Sequence, residues 1–332
     1  MESDNSPGFA GLTDLAAERY GGLALAANDE FFAEKVNLLK PGRGVFIQDK
    51  YTDRGKWMDG WETRRKRGPG HDWCVIQLGM PGVIRGLDID TNHFLGNHPP
   101  FASVDVCRIG AGVAFETAEW QPLLAKSPLQ PGSRNLFPVD CAGGSWTHVR
   151  LNIFPDGGVA RFRVFGLPDP AALSPRADGL SDLAALAGGG RAVACSDMFF
   201  SSMQNLIQPG DSLFMGDGWE TRRRRGPGHD WLILRLGRPG AIAEAEVFTT
   251  HYKGNFPDGF SLEAIHAPGT DIDILNAHTF DWQEILSLQP LGPDGRFAYA
   301  REIRGMAPFS HVRVNMYPDG GIARLRLWGH PA

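Results

Sequence analysis

Cysteine is scarce: four in 332 residues, and none recurs when the halves of the chain are aligned. Cys74 faces Leu232, Cys107 faces Ile265 and Cys195 faces Ala27. This excludes a disulfide scaffold and a duplicated thiolate metal site, and makes a reducing, cytoplasmic setting the expectation. No apolar run is long enough to span a bilayer, and the opening MESDNSPG lacks the basic-then-apolar order of a secretory leader. Cationic excess is also absent. Thirty-three Lys and Arg against 38 Asp and Glu give a net charge of −5, so neither nucleic acid nor a membrane surface is an expected partner. No phosphate-cradling glycine loop appears, so no nucleotide or flavin is expected. His-x-His, His-Glu-x-x-His and paired-Cys spacings are missing too. No metal ligands are therefore assigned, although the abundant His, Asp and Glu leave a divalent ion open.

Turn residues, by contrast, are plentiful. Gly (42) and Pro (24) make up about a fifth of the chain, above average but below the level of disorder, which favours an all-β fold. One stretch dominates. Asp59 to Trp73 reads DGWETRRKRGPGHDW and returns as Asp217 to Trp231, DGWETRRRRGPGHDW, differing only at Lys66 and Arg224. The shift of 158 residues is a domain length, not that of a short solenoid repeat.

The duplication extends outward. Gly11 to Ala17 recurs as Gly179 to Ala185, where Thr13 and Ser181 suit the cap of a short helix ended by Gly21-Gly22 or by Gly188 to Gly190. Asn28 to Phe32 recurs as Ser196 to Phe200, now shifted by 168. The first copy therefore holds ten extra residues before its signature, around Gln48 to Lys56. After each signature come apolar runs, Cys74 to Leu78 and Leu232 to Leu236, each closed by Gly-x-Pro-Gly. Leu87 to Asp90 alternates with period two, one face in and one out. Further strands are expected to carry Trp120 and Trp282. His148 to Gly166 and its twin, around a Pro-Asp-Gly-Gly turn, read as a hairpin. The proline-rich stretch 168–178 reads as a linker between domains at 11–167 and 179–330. Short strands without a βαβ rhythm predict two tandem jelly-roll sandwiches.

The paired signatures, preceded in the first copy by Gly55-Lys56-Trp57-Met58, resemble the allantoicase family. The His-x-x-Gly-Asn-x-Pro loops and the Asn-x-[Phe/Tyr]-Pro-Asp-Gly-Gly hairpins resemble it as well. The resemblance runs from about Leu12 to Gly329. It implies two galactose-binding-like jelly-roll domains and hydrolysis of allantoate to ureidoglycolate and urea in purine breakdown. A small-molecule substrate and a homo-oligomer are expected, with no cofactor assigned.

Allantoate carries a carboxylate and two ureido groups on one carbon. A planar guanidinium forks a carboxylate, so Arg64, Arg65, Arg222 and Arg223 are candidate substrate ligands; a surface ion-pair cluster is the bland alternative. Release of urea needs an acid–base pair. Glu62, Asp59, His71 and His93 are the candidates, with Glu220, Asp217, His229 and His251 in the second copy. Asn97 and Asn255 suit the ureido groups or, equally, a turn. Trp61, Trp73, Trp219 and Trp231 read as packing anchors more readily than as a sugar platform. A non-catalytic jelly-roll module binding a small carboxylate or carbohydrate is the rival. The insertion before Asp59 leads us to expect most of the chemistry in the first copy.

Overall fold

The computed structural model describes residues 7–110, 113–140, 144–270, 281–305 and 307–332. The chain forms two compact units, Met1–Asp169 and Pro170–Ala332. In the first, the strands are β1 (Thr13–Asp14), β2 (Leu23–Ala27), β3 (Tyr51–Thr52), β4 (Gly55–Lys56), β5 (Trp61–Glu62), β6 (Asp72–Asp90), β7 (Phe101–Cys107), β8 (Gln121–Pro128), β9 (Arg134–Pro138), β10 (Trp146–Phe154), β11 (Gly158–Val159) and β12 (Arg161–Pro168). The second unit has β13 (Ser181–Asp182), β14 (Arg191–Cys195), β15 (Trp219–Glu220), β16 (Asp230–Phe248), β17 (Gly259–Ile265), β18 (Gln283–Pro290), β19 (Arg296–Tyr299), β20 (Phe309–Tyr317), β21 (Gly321–Ile322) and β22 (Arg324–Pro331).

One 19-residue strand organises each unit. The first half of β6 pairs with β2 and β10, and its second half with β12 and β9. It thus serves both layers of a sandwich, as β16 does in the second unit. The Gly-x-Pro-Gly of the sequence was expected to end the strand; instead it is the corner. A Cβ on Gly79 would stand 2.5 Å from the Tyr20 carbonyl oxygen and one on Gly82 2.3 Å from that of Leu167. Only glycine admits the neighbouring backbone there, and the ladder slips in register across the bend.

Between the layers lie fully buried Ile76, Ile84, Leu87, Ile89, Val104, Leu151 and Phe162, mirrored by Leu234, Val247, Leu262, Val314 and Leu325. Each side chain of this kind contributes about 1.5–3 kcal/mol on burial.

Four further expectations are corrected. The segments from Gly11 and Gly179 do hold short helices ended by glycine, the 3-10 turns Glu18–Tyr20 and Leu186–Gly188 closing at left-handed Gly21 and Gly189. Thr13 and Ser181 do not cap them, and among the described residues every helical turn is a short 3-10 piece. Thr13 and Asp14 pair with Gly166 and Phe165, and the Asp14 carboxylate accepts the amides of Ala16 and Val164. The sheet has taken the groups that a cap would use. The Pro-Asp-Gly-Gly turns close no hairpin: β10 bonds to β6 and β7, whereas β12 bonds to β6 and β1. The turn carries the chain from one layer to the other through β11, which pairs with β5 of the signature. Along β6, Asp88 and Asp90 do not face water. Both are buried, held by Arg134 at 2.7 Å and Arg43 at 2.8 Å. Trp120 and Trp282 lie just before β8 and β18 rather than in them.

Residues 170–178 pack within the second unit, where Arg176 pairs with Asp178 and Glu244 and covers the Trp328 ring. Among the described residues no helix is long and apolar enough to cross a membrane.

Candidate active site

Each signature loop is fixed at several points. Asp59 is buried and takes Arg161 at 2.7 Å and the Val45 amide at 2.9 Å; Asp217 takes Arg324 at 2.8 Å and the Leu213 amide at 3.1 Å. Burial pushes the Asp59 carboxyl up, but Arg161 and the Val45 amide outweigh it and hold the group below its usual range. Trp61 and Trp219 are fully buried, and their indole N–H groups donate to the Asp29 and Asp197 carbonyls. They are the packing anchors expected. The Thr63 and Thr221 hydroxyls accept the Gly157 and Gly320 amides. Asp156 and Asp319 of the crossover turns accept the backbone N–H of Lys66 and Arg224, each at 2.7 Å. The one position at which the signatures differ keeps its ion pair: Lys66 meets Asp72 at 2.6 Å and Arg224 meets Asp230 at 2.5 Å.

Within this frame Glu62 and Glu220 sit on the two-residue strands β5 and β15. The Asn97 amide donates to Glu62 Oε1 at 2.7 Å, and the Asn255 amide to Glu220 Oε1 at 2.5 Å. The asparagines are themselves pinned, their carbonyls accepting the Gly158 and Gly321 amides. Burial raises both glutamate carboxyls above their ordinary range, with the asparagine bond pulling the other way. A side-chain carboxyl that holds its proton more tightly, beside an amide that fixes its orientation, is suited to deliver that proton.

The other expected residues divide. His93 and His251 adopt left-handed backbone, φ 68° and 73°. Their Nε2 atoms lie 3.1 Å from the Gly44 carbonyl and 2.9 Å from that of Ser212, so they tie the loop before the signature to the loop after it. His71 and His229 turn to the outer sheet face. Their rings lie 4.7 Å from Phe154 and 4.5 Å from Tyr317, and His229 Nε2 is 3.3 Å from Asn315 Oδ1. Arg64 and Arg222 are largely exposed but already engaged, by Asp29 at 2.6 Å and Asp197 at 3.1 Å. Among the described residues no hydrogen bond or ion pair holds Arg65 or Arg223. Among them, too, no three His, Cys, Asp or Glu side chains converge as a metal cage would require.

Sequence reasoning passed over Asp29 and Asp197, although Asn28 to Phe32 recurs as Ser196 to Phe200; that recurrence was the available signal. It also passed over the outer-face set Asp105, Arg150 and Asn152, repeated as Glu263, Arg313 and Asn315.

A family model described as allantoicase repeat matches residues 13–169 and 181–332. A probable allantoicase of Pseudomonas aeruginosa strain LESB58 is 46% identical over 331 residues, covering 100% of this chain and 99% of that protein. One of Photobacterium profundum is 46% identical over 321 residues, 97% of each. The crystal structure of Saccharomyces cerevisiae allantoicase superposes with a TM-score of 0.76 at 35% identity, covering 96% of this chain and 93% of that one. The chain belongs to the allantoicase family.

Proposed function

We infer that the protein hydrolyses allantoate to ureidoglycolate and urea, and that the Glu62–Asn97 pair carries the proton chemistry. The supporting observation is the glutamate inside each signature loop, raised by burial and oriented by an asparagine 35 residues away. Protonated Glu62 donates to the departing ureido nitrogen as its bond to the central carbon breaks. The lone pair of the remaining ureido nitrogen forms a C=N bond, so urea leaves neutral. Water then adds to that carbon and returns a proton to Glu62, restoring the acid. Atoms and charge balance without a redox or group-carrying cofactor.

The substrate carboxylate needs a cation, and Arg65 is better placed than Arg64 to give one because Asp29 already holds Arg64. Asp59, His93 and His251 then act as braces rather than as acids or bases. We assign the greater share of turnover to the first unit. Its ten-residue insertion forms the β3–β4 hairpin, which sets Lys56 over Phe46, itself 5.6 Å from His93, and Arg54 over Phe31. A cationic rim suits an anionic substrate. Both units also expose apolar side chains here, Phe31, Phe32 and Phe46 in the first and Phe199, Phe200, Leu213 and Phe214 in the second, surface that supports a homo-oligomer. A cytoplasmic setting agrees with the free thiols of Cys74, Cys107 and Cys195.

Purified protein incubated with allantoate should release urea and ureidoglycolate in equal amounts. Absence of both above the uncatalysed rate would end this reading.

A further inference from the structure

We propose that the outer sheet face of the second unit carries a separate site for a neutral ureido compound, a planar group offering one carbonyl and several N–H donors. The face is built by alternation. Trp231, Asn315 and Ser261 stand side by side on β16, β20 and β17, and Arg313, Glu263 and Glu284 on β20, β17 and β18. With His229 and Tyr317 they line a cavity of about 470 Å³, room for a small ligand.

The polar groups are prearranged. Arg313 Nε and Asn315 Nδ2 both donate to Glu263 Oε2 at 2.8 Å, while the guanidinium lies 4.8 Å from the Trp282 ring centre. Asn315 is 4% exposed and holds Ser261 and His229 as well. Glu263 Oε1 is thereby left as an acceptor, and no hydrogen bond or ion pair among the described residues ties Glu284. Two carboxylates against one guanidinium leave the cavity net negative, which disfavours an anion. Flat aromatic walls, one cation for a carbonyl and carboxylates for N–H groups match a urea unit.

The first unit shows what closes such a face. Tyr317 is replaced by Phe154, Glu284 by Pro122, Gly259 by Phe101 and Leu288 by Lys126. Lys126 lies over the Phe101 and Phe154 rings, at 5.0 and 4.6 Å. With Asp105 and Arg150 this face is net positive, the opposite sign. The site therefore belongs to the second unit alone.

Titrating the full chain with methylurea and following the Trp231 indole N–H by NMR tests this, with Trp231→Phe supplying the assignment. Methylurea should shift that signal saturably, acetate should not, and Glu284→Gln with Leu288→Lys should weaken the affinity at least tenfold. No saturable shift, a shift with acetate, or unchanged affinity in the double variant would each overturn the proposal. So would a shift produced by methyl galactoside but not by methylurea, which would make this a polyol site. The double variant should turn over allantoate normally; collapsed turnover would show that this face is the reaction site and not a separate one. Normal turnover together with lost methylurea binding separates this inference from the Glu62 reading.

Discussion

Around Glu62 the first unit places Ala33, Met58 and Phe94; at the corresponding positions around Glu220 the second has Ser201, Gly216 and Tyr252. The backbone beneath is the same, with β5 on β11 and β15 on β21 and a bridge to residue 33 or 201. Only the environment differs. Phe94 closes an apolar floor against Gly158, where any Cβ would stand 2.0 Å from the ring. Tyr252 fills the same space but sends its hydroxyl to the Met215 carbonyl at 2.7 Å. Burial first, and then the charge of Glu220, push that phenol's pKa up. Glu220 thus shares its site with a buried hydroxyl, and Glu62 with an apolar floor and the added cations of the β3–β4 hairpin. Duplication has preserved the acid and its asparagine while allowing the surroundings to diverge, which permits one copy to work and the other to support.

The largest effect should come from removing the acid. Glu62→Gln keeps the Asn97 contact and should lower kcat about 10³-fold, the middle of the range for losing a general acid. Glu220→Gln should cost less than tenfold. Equal losses in a urea-release assay would mean two working sites, and a larger loss for Glu220→Gln would reverse the assignment of the units.

Next in size is stability, where the units should agree. Asp59→Ala and Asp217→Ala each strand a buried arginine, 4% and 3% exposed, and should cost about 3 kcal/mol or more in chemical denaturation. If Asp59→Ala folded with unchanged stability yet lost turnover, Asp59 would be a catalytic group and not a brace.

The repeat, the all-β class and the family were legible because the signature is long and its spacing constant. The pairing of strands was not. Alternation reports which side of a strand faces the core, and a Pro-Asp-Gly-Gly turn reports a reversal; neither says which strand receives the hydrogen bonds. The long β6 decides that by crossing both layers, and its continuity through Gly79 and Gly82 is visible only in the backbone that approaches them. The burial of Asp88 and Asp90 was equally hidden, since their arginine partners lie 46 and 47 residues away. Within the site, Glu62 could be chosen from chemistry, but its separation from His71 could not. Nine residues on, at the residue just before β6, the chain has already turned to the outer sheet face.

Adjacent arginines should separate more modestly. Arg65→Lys loses the fork that no other group occupies and should cost about tenfold in kcat/KM, or 1.4 kcal/mol. Arg64→Lys disturbs an exposed pair with Asp29 and should cost less than half of that in free energy. The reverse ranking would return the substrate carboxylate to Arg64.

The smallest effect compares two histidines at the same register, His148 on β10 and His311 on β20. His311 is 3% exposed, with Nδ1 3.0 Å from the Ser310 hydroxyl. Burial, and then the charge of Arg235, lower its pKa to about 4, whereas burial alone lowers that of His148, which is less enclosed. A histidine depressed in the folded state leaves stability intact above its unfolded value and removes it as pH falls toward the folded one. Between pH 6.5 and 5.5 the unfolded chain gains a proton that folded His311 refuses, a loss of about 1 kcal/mol. Asp14, raised to about 6 by burial, and Asp182, raised for the same reason, act in the opposite direction. They occupy equivalent positions in the two units, so they largely cancel from the comparison. Denaturation followed across that pH interval should therefore show a shallower acid decline for His311→Gln than for the parent chain, and a smaller change for His148→Gln. Identical slopes for the two variants would mean that the second unit buries its histidine no more effectively than the first.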